Sequence, residues 1–303
     1  MFNHISQPSQ SHSSPLFSET FLRQLDQLTL LNRRTYYGQM QGERRSSRRG
    51  QSVEFADYRS YVPGDDLRTL DWNVYARLEK LFVKLFVAEE ATTIHFLLDA
   101  SQSMGFGHPS KWFYAVHLAG ALGYLALASM DQIKAAALEK GDLYLMPVMR
   151  GKRQALAWFN WLQAQRPCGQ ALLGPMLRSY AARGRPVGPA FLISDLLDPS
   201  WEEGLTALCH HQFEVTVLHL LSSQEVNPDL EGDLQLIDSE TGHAIEITAD
   251  YDLLLHYRHR LTAWQEQIRS FCTRRGIHYV FIETSWPIET LLFSLLRRQG
   301  VVK

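Results

Sequence analysis

Asp99, Ser101 and Ser103 stand at alternate positions directly after the apolar run Ile94–Leu98. In extended backbone, residues i, i+2 and i+4 point the same way, so these side chains can offer three hard oxygens to one cation at the carboxyl end of a strand. Mg²⁺ suits such a site best, because it prefers octahedral oxygen coordination at about 2.0–2.1 Å and retains several waters. Mn²⁺ and Ca²⁺ are the other candidates. The spacing by itself is weak, since D-x-S-x-S arises from composition in on the order of one sequence in ten of this length. Its setting strengthens it. The motif follows a buried-type strand and precedes a helical pattern from Lys111 to about Met130, the arrangement by which open α/β folds place ligands beyond strand ends. A second acid, Asp195, ends the apolar strand Pro189–Ser194, and in a parallel sheet it emerges at the same edge as Asp99.

The rest of the chain must position these groups. With 303 residues and ordinary apolar content it can bury a full core, as one large domain or a domain with extensions. The net charge of −2 offers no general field for nucleic acid. Charge is nonetheless uneven: Arg33, Arg34, Arg44, Arg45, Arg48 and Arg49 face only Glu43 before Gly50, a local excess of +5. Cys168, Cys209 and Cys272 are odd in number, far apart and free of C-x-x-C spacing, which argues for a reducing compartment. The first eighteen residues hold no Lys or Arg and are rich in Ser, Gln and Pro, unlike a signal peptide, so residues 1–19 read as a disordered tail. The apolar stretch Ala115–Met130 falls short of the ~20 residues a membrane span needs. A buried helix in a cytoplasmic protein is the expectation.

Residues 20–92 read as an extension packing on the core. It comprises an amphipathic helix through Phe21, Leu25, Leu28 and Leu31, the arginine segment, strand-like residues from Val53, a turn at Pro63-Gly64-Asp65-Asp66, and a strand over Leu81–Val87. From Thr93 to the end, strands and helices alternate. Strands are expected at Ile133–Leu138, Leu143–Val148, Glu214–Leu221 and Ile277–Ile282. Helices are expected at Arg153–Ala164, Leu172–Ala182, Trp201–His211, Tyr251–Arg274 and from Pro287, with a hairpin at Leu234–Asp238 and Ala244–Thr248. Such alternation implies a mainly parallel, doubly wound α/β sheet covered on both faces.

Several motifs in fixed order, Gly50-Gln51-Ser52-Val53-Glu54-Phe55-Ala56-Asp57-Tyr58-Arg59, Pro63-Gly64-Asp65-Asp66-Leu67-Arg68, Asp71-Trp72, Ala76-Arg77, the Asp99-x-Ser101-x-Ser103-Met104 strand end, Ile193-Ser194-Asp195 and Asp238-Ser239-Glu240-Thr241-Gly242, resemble the bacterial family of unknown function numbered 58 (DUF58). The resemblance covers nearly the whole chain from about Phe21. It implies a core, residues 93–303, similar to a von Willebrand factor A domain, a Rossmann-like fold. It also implies a metal-ion-dependent adhesion site, or MIDAS, in which Asp99, Ser101, Ser103 and Asp195 match the ligand pattern. The threonine of the pattern's second loop is replaced: Gln170, in Pro167-Cys168-Gly169-Gln170-Ala171-Leu172, stands in its place. A Gln amide oxygen can ligate a hard cation, but it is longer and neutral, which implies low affinity or a vestigial site. The resemblance further implies a partner role beside a MoxR-type AAA+ ATPase in maturing or remodelling other proteins.

The function expected is therefore Mg²⁺-assisted, non-enzymatic protein binding, in which a client's carboxylate displaces water from the ion. Two alternatives stand beside it: a metal-independent scaffold, favoured by Gln170, and a hydrolase using a cation held by Asp99 and Asp195. The serines could instead cap the turn that follows them. Ser101 as a nucleophile has only His95 and His108 near it in sequence. The arginine segment fits ion pairing or protein docking better than nucleic acid, since no aromatics interleave it. Asp65, Asp66 and Asp71 read as turn and cap residues, Trp72 as an anchor of the extension, and His210-His211 and His256-x-x-His259 as non-metal histidines. No P-loop, G-x-S-x-G elbow or H-E-x-x-H occurs.

Overall fold

Beta-forming residues on either side of a turn-rich stretch pair Val53–Ser60 (β1) with Phe82–Ala88 (β2) antiparallel, with a bulge between Phe55 and Asp57. The computed structural model describes residues 16–28, 53–63, 65, 67, 70–88, 92–183, 185–237 and 244–297. The chain divides into two compact units, Arg33–Thr92 and Met1–Asn32 with Thr93–Lys303. In the smaller unit a short helix, Trp72–Leu78, starts at Asp71, whose carboxylate accepts from the backbone of Asn73 and Val74 and from the Tyr58 hydroxyl. Asp65 accepts from the Val62 amide. These acids do cap and turn work. Trp72 is 61% exposed, its ring meeting Tyr75 edge-on. Asp66, Arg68, the arginine segment and the stretch 238–243 lie outside the described residues, as do residues 1–15 of the expected tail.

The larger unit is built on strands Thr93–Asp99 (β3), Gln132–Glu139 (β4), Asp142–Leu145 (β5), Met149–Arg150 (β6), Pro189–Ser194 (β7) and Glu214–Leu221 (β8). A separate hairpin, Gly232–Ile237 (β9) with Ala244–Ala249 (β10), and a final strand, His278–Glu283 (β11), follow. The main sheet runs β11-β8-β7-β3-β4-β5, with β6 also on β4. The pairs β3–β4, β3–β7, β7–β8 and β8–β11 are parallel, and only β5 and β6 run against β4. This is the open, doubly wound, mainly parallel α/β sheet the alternation predicts. Strand order reverses at β3, from which one branch of the chain goes to β4 and the other returns at β7. The strand expected at Leu143–Val148 instead ends at Leu145, and Pro147, which has no N–H to give the ladder, separates it from β6, which begins beyond the expected bound.

All seven residues of β3 are buried, and alternation sends Phe96 and Leu98 to one apolar cluster and Leu97 to the other. The first cluster packs the helix Lys111–Ala128, buried nearly all round, together with Trp158 of the helix Ala155–Ala164. Phe17, Phe21, Leu25 and Leu28 belong to it, so the helix Glu19–Leu25 and Phe17 pack with the sheet unit. The second cluster holds Leu173–Arg183, Trp201–His210 and the end of Tyr251–Arg274 against the opposite face. Among the described residues, no helix is long and apolar enough to cross a membrane.

The two helices of the first face meet at Gly123, where an added Cβ would lie 2.3 Å from Trp158 Nε1. Alanine is the better helix former by about 1 kcal/mol, yet the fully buried indole has nowhere to retreat. Gly123→Ala should therefore destabilise the unit by about 1–3 kcal/mol. A lower urea midpoint at unchanged slope is the expected reading, and an unchanged or raised midpoint would contradict it.

Candidate metal centre

Parallel pairing of Leu98 with Ile193 brings the carboxyl ends of β3 and β7 side by side at the point where strand order reverses. Asp99, 2% exposed, accepts from the Ser194 hydroxyl (2.6 Å) through Oδ2 and from the Ser101 amide (3.0 Å) through Oδ1. The second bond bends the chain out of the strand as an Asx turn. It delivers Ser101 in extended conformation to a 3₁₀ turn, Gln102–Gly105. The Ser101 hydroxyl does not cap that turn. It lies 3.0 Å from Ser103 Oγ, which in turn donates to Asp195 Oδ2 at 2.7 Å. Three oxygens thus form a string with spacings of 3.0 and 2.7 Å. All three are hard oxygen donors, and both spacings are ordinary O–H···O hydrogen-bond lengths; the edge of an octahedron with metal–oxygen bonds of about 2.0–2.1 Å is of similar length, about 2.9 Å.

Asp195 is aimed by two contacts. Its Oδ1 accepts from the Leu197 amide at 3.2 Å, and the next residue, Leu196, takes φ +55°, a left-handed conformation that a non-glycine residue adopts only under constraint. The Asp195 carbonyl lies 3.0 Å from His219 Nε2. Since a carbonyl only accepts, that nitrogen carries the proton and Nδ1 accepts from Tyr279 Oη at 2.8 Å. Burial pushes the His219 pKa down to about 4, so the ring is neutral. Asp99 shifts the other way: burial, with the Asp195 charge beside it, raises its pKa to about 7.

Lys111, which the sequence does not single out, completes the cluster. It is 0% exposed, and its Nζ donates to Asp195 Oδ2 at 2.8 Å and to Glu225 Oε1. Burial pulls its pKa down, and the two carboxylates more than offset this, leaving it above the ordinary lysine value. Glu225 is held by a capping box: Ser222 N and Oγ donate to Oε2 at 2.7 and 2.9 Å, and the Glu225 amide donates to Ser222 Oγ. Two signals mark these residues: a lysine in the first turn of a helix, where the dipole disfavours a cation, and the S-x-x-E spacing of Ser222 to Glu225.

The loop after Pro167 runs beside the motif, with Gln102 N donating to Gly169 O (2.7 Å) and Cys168 N to Ala100 O (2.8 Å). The next residue, Gln170, is exposed, and its amide is not among the groups hydrogen-bonded in the cluster. The structure thus joins Asp99, Ser101, Ser103 and Asp195 and leaves the Gln170 side chain outside their network. His95 is no partner for Ser101: its ring contacts Tyr180 Oη and Pro186 O. Among the described residues no group of three or more His, Cys, Asp or Glu side chains is arranged to hold a metal, the paired histidines included. The string of serine and aspartate oxygens has a different composition.

The mainly parallel sheet with its reversal of strand order at β3 defines the class: a doubly wound α/β protein. The chain belongs to the family described as "Protein of unknown function DUF58", whose sequence pattern matches residues 57–267. It is 26% identical over 262 residues to "Uncharacterized protein Rv1480" of Mycobacterium tuberculosis, covering 84% of this chain and 82% of that protein, and equally to "Uncharacterized protein Mb1516" of Mycobacterium bovis. Among solved structures it is similar to BatB from Bacteroides thetaiotaomicron (14% identity, 64% of this chain and 91% of that one, TM-score 0.41). It is also similar to the SpRpn10 VWA domain (11% identity, 67% and 94%, TM-score 0.38).

Proposed function

We propose that this protein is a non-enzymatic protein-binding module of von Willebrand A type, whose oxygen cluster takes up Mg²⁺ and offers it to a carboxylate on a client protein. The observation that carries this reading is the string Ser101 Oγ, Ser103 Oγ and Asp195 Oδ2, with spacings of 3.0 and 2.7 Å at the sheet's switch point. A bound ion there supplies Lewis-acid affinity for the incoming carboxylate. The chain's own part is to fix the donors: Ser194 and the Ser101 amide orient Asp99, and His219 and the Leu197 amide orient Asp195. Gln170, exposed on the adjacent loop, is the remaining candidate oxygen. A MoxR-type AAA+ ATPase as co-worker in protein remodelling, and a bacterial cytoplasmic setting with Cys168, Cys209 and Cys272 as free thiols, belong to the same reading.

One observation favours a second reading, a metal-independent scaffold: the Lys111 ammonium already rests on Asp195. Calorimetric titration with MgCl₂ separates the two. Ser101→Ala, which removes one hydroxyl from the string, and Asp99→Asn should each weaken Mg²⁺ uptake by roughly 100-fold, since even substitutions one shell further out cost about 10–100-fold. Capture of a carboxylate-bearing client should fail in EDTA. No heat from wild type with Mg²⁺ or Mn²⁺, and capture indifferent to chelator, would leave the scaffold reading in place.

A further inference from the structure

We propose that Lys111 is a built-in cation that keeps the oxygen cluster assembled without metal, and that a divalent ion enters by exchange, driving the ammonium off Asp195 and onto Glu225 alone. This deepens the proposed metal reading and rests on it.

The placement of Lys111 calls for a reason of its own. It sits in the first turn of the 18-residue helix Lys111–Ala128, directly after the capping Ser110, where the helix dipole opposes a positive charge. It is fully buried, and an apolar side chain of similar volume would avoid the desolvation of an ammonium. What the lysine adds is charge beside carboxylates that would otherwise repel each other across a buried site.

Its two acceptors are not equivalent. Asp195 Oδ2 is the very oxygen that accepts from Ser103 and ends the three-oxygen string. A divalent ion bound to that oxygen would share it with an ammonium 2.8 Å away, a juxtaposition of like charge that low local dielectric makes severe. Glu225 Oε1 lies outside the string, and the opposite oxygen is clamped by Ser222, so this carboxylate stays in position whatever Asp195 binds. The lysine therefore has a partner to keep when it yields the other. Mg²⁺ affinity is then set by the difference between two cations' hold on Asp195, and not by the donor set alone.

Substitutions on the two sides of this exchange should act in opposite directions. Lys111→Met removes the competitor and should tighten Mg²⁺ binding by about tenfold or more, whereas Lys111→Arg keeps the charge and should stay near wild type. Glu225→Gln removes the retreat, making Asp195 the ammonium's carboxylate partner, and should weaken Mg²⁺ binding by a similar factor. If Lys111 merely supported the fold, Lys111→Met and Glu225→Gln would loosen the cluster alike and both would lose affinity.

The measurement is calorimetric titration of the full chain with MgCl₂ and MnCl₂, paired with thermal unfolding in EDTA and in excess Mg²⁺. Lys111→Met should melt below wild type in EDTA and gain more from Mg²⁺ than wild type does. Metal uptake by Lys111→Met with none by wild type would overturn the exchange, because it would show the ammonium holding Asp195 against the ion. Equal affinities of wild type and Lys111→Met would overturn it while leaving the metal site standing. Silence from both would overturn it together with the metal reading. Should Lys111→Met fail to fold, Glu225→Gln decides: tighter or unchanged Mg²⁺ binding there refutes the exchange.

Discussion

Asp195→Ala, measured in EDTA by urea unfolding, should lose about 1–3 kcal/mol, the usual cost of leaving buried polar groups short of a partner. The carboxylate accepts from the Ser103 hydroxyl, the Lys111 ammonium and the Leu197 amide, and both members of the pair are inaccessible, at 0% and 2% side-chain exposure. Truncation leaves the ammonium with Glu225 alone and the Ser103 hydroxyl without its acceptor. A partner lost is not a pair lost. The double variant Lys111→Met with Asp195→Ala removes the buried charge along with its acceptor, so it should be less destabilised than the sum of the two single variants by several tenths to about 3 kcal/mol. Additive single effects would show that the two side chains do not interact, and a loss below about 0.5 kcal/mol for Asp195→Ala, typical of a surface change, would mean that the cluster is not closed.

The two halves of this cluster were unequally visible in the chain. Asp99 and Asp195 could be read because each interrupts an apolar run abruptly, and a parallel sheet sends both strand ends to one edge. Their serines followed from a period of two. The helix Tyr251–Arg274 was equally open to reading, since Asp250 caps it and apolar residues recur along it. Lys111 was hidden for the opposite reason. A lysine after a serine at a helix start looks solvated, and its burial depends on Glu225, 114 positions later, which arrives only because β8 lies next to β7. Sheet order is a non-local fact, so no window of sequence contains this ion pair. Pro147, by contrast, carried a local signal for the break between β5 and β6 that the apolar run around it obscured.

Acid should loosen the fold through His95, remote from the hydroxyl string. Its ring is fully buried on β3, with Nε2 donating to Pro186 O at 3.0 Å and Nδ1 accepting from Tyr180 Oη at 2.7 Å. Burial lowers its pKa to about 4, against the backbone bond to Pro186, which favours the charged form. Between about pH 6.5 and pH 4 the unfolded chain therefore binds this proton and the folded one does not, so the His95 contribution to stability is full at neutral pH and is lost as pH falls. Between pH 7 and pH 4.5 the loss is about 2–3 kcal/mol. Asp99, with its pKa raised by burial, works in the opposite sense over the same range. The wild-type slope is consequently a sum, and the contribution of His95 is isolated by comparison with His95→Gln, whose amide can still donate to Pro186 O but does not titrate. Urea unfolding at the two pH values should show His95→Gln losing less stability on acidification than wild type, by about 2 kcal/mol. Parallel losses in both proteins would mean that His95 is protonated as readily in the folded state as in the unfolded one.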